Sequence, residues 1–434
     1  MAFISIFVGI LLLLVLVTVV KLDTFISFML VCLFIGLYEG LSISEVVGAI
    51  QLGIGNTLGS LVIILGFGAM LGKLVAESGA ATQITNTLVD KFGLKNIQIA
   101  LMITGFIVGI PMFYSVGFVI LVPLVFTIAA STRLPLMYIA LPMLASLSVT
   151  HGYLPPHPAP TAIAEMYGAD MGLTLIYGMI VGIPAIFTAK FTMSGMMKKM
   201  HPNPSPEFFK SELDPRYPVP GIGLSLGVAL LPVVLIGGSS LLKLFFGEHV
   251  IITALGDPAI AMLVSVLAAI YFLGVRTGRN MKEIADLLGR SVSSIAVVLL
   301  VIAGAGSLKE IFIATEISTR LGDALDSLGM SPILLAWVIA ALMRISVGSA
   351  TVAGLTAASI MMPMVGTSGV SAELLVLATG AGSIMLSHVN DSGFWLFKEY
   401  FNLSIKETLM SWSMMETIVS IMGLIGVLLL NLFV

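Results

Sequence analysis

Between Asn96 and Thr132 this chain carries no charged side chain, and between Leu134 and Ala164 it again carries none apart from two histidines. An apolar run of roughly 18 residues or more is long enough to cross a bilayer as a helix. Comparable runs cover Phe3–Val20, Gly221–Leu242, Ala259–Val275, Ser291–Leu308 and Ile418–Val434. Only 10% of the residues are charged and 58% are apolar, where a soluble domain carries about 25% charged residues. The chain therefore reads as an all-α polytopic membrane protein of about 12 spans, give or take two, because some runs can be re-entrant. The first run lacks a basic segment and a small-residue cleavage site, so it reads as a retained span and not as a signal peptide. The single cysteine, Cys32, allows neither an intramolecular disulfide nor a cysteine metal cluster. A net charge of −3 without a basic block gives no reason to expect a nucleic-acid partner.

The longest polar stretch is Lys190–Pro220, with Lys190, Lys198, Lys199, Lys210 and Arg216. A second basic patch holds Arg276, Arg279, Lys282 and Arg290. Two expected spans separate the patches, and the loop between those spans, GEHVIITALGDP, has no Lys or Arg. Basic loops favour the cytoplasmic side, so both patches are expected there. Residues 190–220 then form a cytoplasmic linker between a first membrane half, 1–189, and a second, 221–434.

The halves resemble each other. A glycine-rich apolar segment followed by a charged amphipathic one begins at Gly66 and again at Gly304. MFYSVG at Met112 is echoed by MRISVG at Met343, and LASLSVTHG, reaching His151, by GAGSIMLSHVN, reaching His388. The offsets are 238, 231 and 237 residues. Three matches in one order point to a duplication, about 55–164 and about 291–401. Secondary transporters are often built from such repeats in inverted topology, with broken helices meeting at a central site.

Each half has a candidate break. In SVTHGYLPPHPAPT, Ser148 to Thr161, four prolines rule out a regular helix throughout. Backbone freed in this way must be sheltered by protein or line a wet cavity. The counterpart is SHVNDSGF, the start of a polar cluster (Ser387 to Phe401) in an otherwise charge-poor chain. His151 and His157, six apart across prolines, fit no common zinc spacing, and no metal site is expected. Histidine's ordinary pKa of about 6.5 suits proton traffic. Arg344 is the one charged residue between Asp326 and Glu373; an arginine in mid-membrane costs about 2.5 kcal/mol or more. It is read either as an anchor for a carboxylate, which guanidinium binds bidentately, or structurally, as an arginine snorkelling to an interface or paired with Asp391 or Glu399. Lys398 and Glu399 read as a solvated pair at a helix end.

Three motifs carry a family resemblance: THGYLPPHPAPTAIA from Thr150, RISVGSATVAG from Arg344 and SHVNDSGFWLFKEYFNLSIKET from Ser387. In these, and in GNTLGSLVIILGFGAMLGKL from Gly55, the chain resembles the gluconate permease family, bacterial gluconate:proton symporters of the ion transporter superfamily. The resemblance spans nearly the whole chain. It implies proton-driven uptake of gluconate or a related sugar acid across the bacterial cytoplasmic membrane, by a homodimeric helical protein with two inverted repeats. It implies no cofactor beyond the proton gradient. The family also takes other hydroxylated acids and D-serine, which are the alternative substrates, and sodium is the alternative coupling ion. Several members carry Glu where this chain has Ser115, so if that Glu carries protons in them, this chain uses another group or couples differently.

On this reading Thr150, His151, Arg344, Ser346, Ser349, Asn390 and Ser392 contact the substrate, while Asp391, His388 and His151 couple protons. A channel would call for rings of like groups or a hydrophobic gate, and an enzyme for an assembled constellation such as GxSxG. The sequence offers neither, and no catalytic residue is expected.

Overall fold

The computed structural model describes residues 2–434 except His201, Asn203, 205–213, 318–329 and Ser368. Every regular element among the described residues is a helix, and none is a strand. The first half runs α1 (Ala2–Leu14, continued by a π turn over Val15–Val19), α2 (Thr24–Tyr38), α3 (Ile43–Glu77), α4 (Ala80–Phe92), α5 (Ile97–Gly109), α6 (Tyr114–Thr132), α7 (Leu136–Tyr153), α8 (Pro158–Tyr167) and α9 (Met171–Met197). The second runs α10 (Ile222–Phe246), α11 (Val250–Gly256), α12 (Pro258–Ala269, then a π turn over Ile270–Gly274), α13 (Met281–Ala314), α14 (Pro332–Val347), α15 (Ala350–Met361), α16 (Ala372–Ser383), α17 (Ser392–Phe401), α18 (Ile405–Thr408, then a π turn over Leu409–Ser413) and α19 (Met414–Leu430).

The same local chemistry starts helices in both halves of the chain. Asp23 caps α2 by accepting from the Phe25 and Ile26 amides at 3.0 and 3.2 Å. Asp257 does the same for α12 with Ala259 and Ile260 at 3.0 and 3.1 Å. Gly40 and Gly278 both turn the chain at φ +97°. Reciprocal caps then open the two longest helices, Ser42 with Glu45 on α3 and Asn280 with Glu283 on α13. Such boxes satisfy two of the amides that a helix start leaves free. The charged segment expected after α13 falls largely on 318–329, outside the described residues.

Seven helices among the described residues are long and apolar enough to cross a membrane, or eight if the bent pair α4–α5 is one span. Several other apolar runs fold as shorter helices, among them α14, α15 and α16. Large apolar side chains such as Leu52, Val62, Ile180, Phe191, Val234 and Val297 face outward, as a lipid-facing surface requires. Inside, small residues let helices approach. At the α3–α13 crossing a Cβ on Gly53 would meet the Gly306 carbonyl and the Ser307 Cα.

The linker ends in a polar latch. Arg216 pairs with Asp214 at 2.6 Å, and its hydrogen bonds hold that exposed carboxyl down to about 2. The Tyr217 hydroxyl donates to Glu283 at 2.7 Å. Arg279 stacks on the Tyr217 ring, 4.3 Å from its centre, and donates to the Glu77 carbonyl at 2.9 Å. The latch thus ties the linker and α13 to the end of α3. Lys210 lies outside the described residues.

Candidate functional site

Four helix breaks converge. They are Ile110–Phe113 between α5 and α6, Leu154–His157 between α7 and α8, Gly348–Ser349 between α14 and α15, and Ile384–Asp391 between α16 and α17. The second is shorter than expected: α7 stays helical through Ser148–Tyr153, and α8 starts on Pro158 itself. Proline is well tolerated in a first helical turn, where its missing N–H is not needed. Only Leu154, Pro155, Pro156 and His157 lie outside regular helix.

Each break feeds the start of a helix, and all four starts line one cavity of about 620 Å³. α6 contributes Tyr114 and Ser115, α8 Pro158, α15 Ala350 and Thr351, and α17 Ser392 and Gly393. A helix N-terminus carries roughly half a positive charge and suits anions. Four such ends from both halves surround this cavity. The starts of α6 and α8 have no side-chain cap, whereas Ser349 caps α15 and Asp391 caps α17.

Arg344, on the last turn of α14, is buried at 4% exposure. One of its Nη atoms donates to the Gly348 carbonyl and the other to Asp391 Oδ2 at 2.5 Å. Its Nε is buried without a partner. Asp391 also accepts from the Ser387 hydroxyl and, at 3.0 Å, from the Gly393 amide. Ser387 in turn accepts from the Trp412 indole at 2.7 Å. Asn390 donates to the Ile345 and Ser346 carbonyls at 2.8 and 3.3 Å, and His388 Nε2 lies 2.9 Å from the Ile345 carbonyl. The polar loop is thereby sewn to the end of α14. Gly348 makes the approach possible: its φ is +82°, and a Cβ there would collide with the Asn390 carbonyl.

The opposite wall comes from the first half and the last helix. The His151 ring lies 5.8 Å from Tyr114 and 5.5 Å from His157. His157 is anchored by the Gly109 carbonyl, 2.6 Å from its Nε2. His151 Nδ1 and the Tyr114 hydroxyl are buried without partners. Ser148 donates to Glu416, in the first turn of α19 and 3% exposed.

Of the expected site residues, His151, Arg344, Ser349, Asn390, Asp391 and Ser392 line the cavity together. Thr150, Ser346 and His388 stand outside its lining. Thr150 is fully buried and bonds the Leu147 carbonyl, and Ser346 bonds Leu342. Lys398 and Glu399 pair at 2.8 Å away from the cavity. Sequence reasoning missed Tyr114, Ser148, Trp412 and Glu416. The last had a legible signal, being the one charged residue after Glu407.

The profile of the GntP family permeases matches residues 1–433. The high-affinity gluconate transporter of Escherichia coli K12 is 46% identical over 432 residues, covering 98% of each chain. The Gnt-II system L-idonate transporter of the same organism is 44% identical over 435 residues, 99% of each chain. Among solved structures, the Alcanivorax borkumensis YdaH transporter shares the fold, with a TM-score of 0.68 at 17% identity over 94% of this chain and 97% of that one. Matched along its whole length by the family's profile and by relatives at this identity, the chain is a member of the GntP family of bacterial membrane permeases.

Proposed function

We propose that the protein takes up gluconate by symport with a proton, the substrate carboxylate meeting Arg344 in the central cavity. The observation that carries this is the convergence of four helix N-termini on a buried guanidinium. Positive ends favour an anion, and a guanidinium matches a carboxylate. About 620 Å³ falls in the usual range for small-molecule sites. Ser349, Asn390 and Ser392 are proposed to meet substrate hydroxyls. Thr150 and Ser346 are proposed to serve through the backbone they brace. A relative named as a gluconate transporter at 46% identity supports the substrate, and one named for L-idonate makes that acid the first competitor to try.

Asp391 already sits where the substrate carboxylate would go. It is proposed to hold Arg344 in the empty site and to yield to the substrate, a displacement coupled to protons with His151 and His388 close by. A homodimer in the cytoplasmic membrane, with Lys190–Pro220 on the cytoplasmic face, completes the proposal.

The test is uptake of labelled gluconate into proteoliposomes under an imposed pH gradient, with and without sodium. Uptake is expected to follow the proton gradient, ignore sodium, and be competed by L-idonate. No entry of gluconate would overturn the substrate, and uptake that needs sodium would overturn the coupling ion.

A further inference from the structure

Glu416 stands alone. After Glu407 the sequence has no other charged residue, and among the described residues no ion pair includes it. It is 3% exposed, and the Ser148 hydroxyl donates to it. An ionised carboxyl buried without a cation is costly, and a neutral one is not. This carboxyl nevertheless lines the same cavity as Arg344 and Asp391. The titratable groups around it come from several elements. α7 brings His151, and also Tyr153, whose hydroxyl donates to the Val419 carbonyl one turn along α19 at 2.6 Å. α6 brings Tyr114, α14 Arg344, and the α16–α17 connection Asp391. α9 and α16, which also pack on α19, add no charged side chain to the cavity lining.

We propose that Glu416 is the group that takes up the transported proton. The inference rests on the symport reading above and moves its proton from Asp391, His151 and His388 to Glu416. Arg344 and Asp391 cancel each other, and with His151 neutral the charge of the empty cavity is set by Glu416. With the carboxyl ionised, the cavity carries a net negative charge and repels an incoming carboxylate. With the carboxyl protonated, the cavity is neutral and the anion enters. Proton and anion therefore promote each other's binding, a reciprocity that linkage requires. One proton joins the Glu416 carboxylate as one anion arrives and leaves it as the anion departs, and no other bond changes. One proton with one monovalent anion moves no net charge per cycle, so the accumulation that a pH gradient sustains does not depend on membrane potential.

The test uses the full chain in proteoliposomes, with a pH-sensitive dye reporting proton movement and labelled gluconate reporting uptake and counterflow. A gradient of one pH unit coupled to one proton sustains about tenfold accumulation, and the wild type is expected to approach this with the potential clamped at any value. Glu416→Gln is expected to exchange gluconate at a reduced rate, to accumulate none above the outside concentration, and to move no protons with it. Glu416→Asp is expected to recover part of the accumulation, which a packing role for the side chain would not explain. Should Glu416→Gln exchange too slowly to follow, proton uptake on adding gluconate to the purified variant decides: none supports the assignment, and the wild-type amount overturns it. Wild-type-like accumulation by Glu416→Gln also overturns it. Wild-type vesicles that admit no gluconate count against the substrate reading instead, and vesicles that carry gluconate without protons overturn the coupling.

Discussion

Arg344 and Asp391 form the ion pair at the centre of the proposed site. Both are nearly buried, at 4% and 13% side-chain exposure. Removing one partner of a buried pair leaves an uncompensated charge and costs about 3–5 kcal/mol. Arg344→Ala is therefore expected to lower the thermal midpoint in detergent as well as to abolish gluconate uptake. The double substitution Arg344→Gln with Asp391→Asn removes both charges. It is expected to regain most of the stability and none of the uptake, measured by thermal unfolding and by flux on the same preparations. Equal loss of stability in the single and double variants would count against the pair as its source. Gly348 admits a sharper test. A side chain at φ +82° costs about 1–3 kcal/mol in strain, and here the Cβ also strikes the Asn390 carbonyl. Gly348→Ala is expected to loosen the polar loop from α14, reducing uptake more than it reduces the thermal midpoint.

At the scale of elements, what the sequence announces and what it conceals divide on physical lines. The helical membrane class follows from charge-free runs, because lipid leaves an apolar segment few other choices. Glycine at +97° and reciprocal caps at Ser42 and Asn280 are local signals too, and recur at the same spacing. Proline marked the break after α7 but overstated its length, since Pro158 and Pro160 sit comfortably in the first turn of α8. The lining of the candidate site was legible where polar groups interrupt apolar sequence, as at Arg344, Asn390 and Asp391. It was not legible at Ser148 or Tyr114, whose residue types are ordinary in a membrane helix. Nor could spacing separate Thr150, turned toward Leu147, from His151, its neighbour on the cavity wall. Adjacent positions on a helix face different ways.

For the whole molecule, the decisive point is that neither half owns the cavity. The first half gives the starts of α6 and α8, the second those of α15 and α17 together with Arg344, Asp391 and Glu416. Chains 1–204 and 205–434, produced together, are expected to restore gluconate uptake in cells, and either alone to give none. Uptake by one half alone would show that the shared cavity is not the site. The Arg344–Asp391 pair has a further consequence at this scale. In the proposed transport cycle the protein returns unloaded, and a guanidinium paired with Asp391 is then not left as a bare charge. The same pair implies an admission standard. In the proposed exchange Asp391, held on the same chain as Arg344, competes with the incoming acid at a high effective concentration. Acetate, which offers only a carboxylate, is then expected to displace it poorly, and a polyhydroxy acid, which brings further contacts, to displace it well; acetate competing with gluconate uptake at equal concentration would count against this standard.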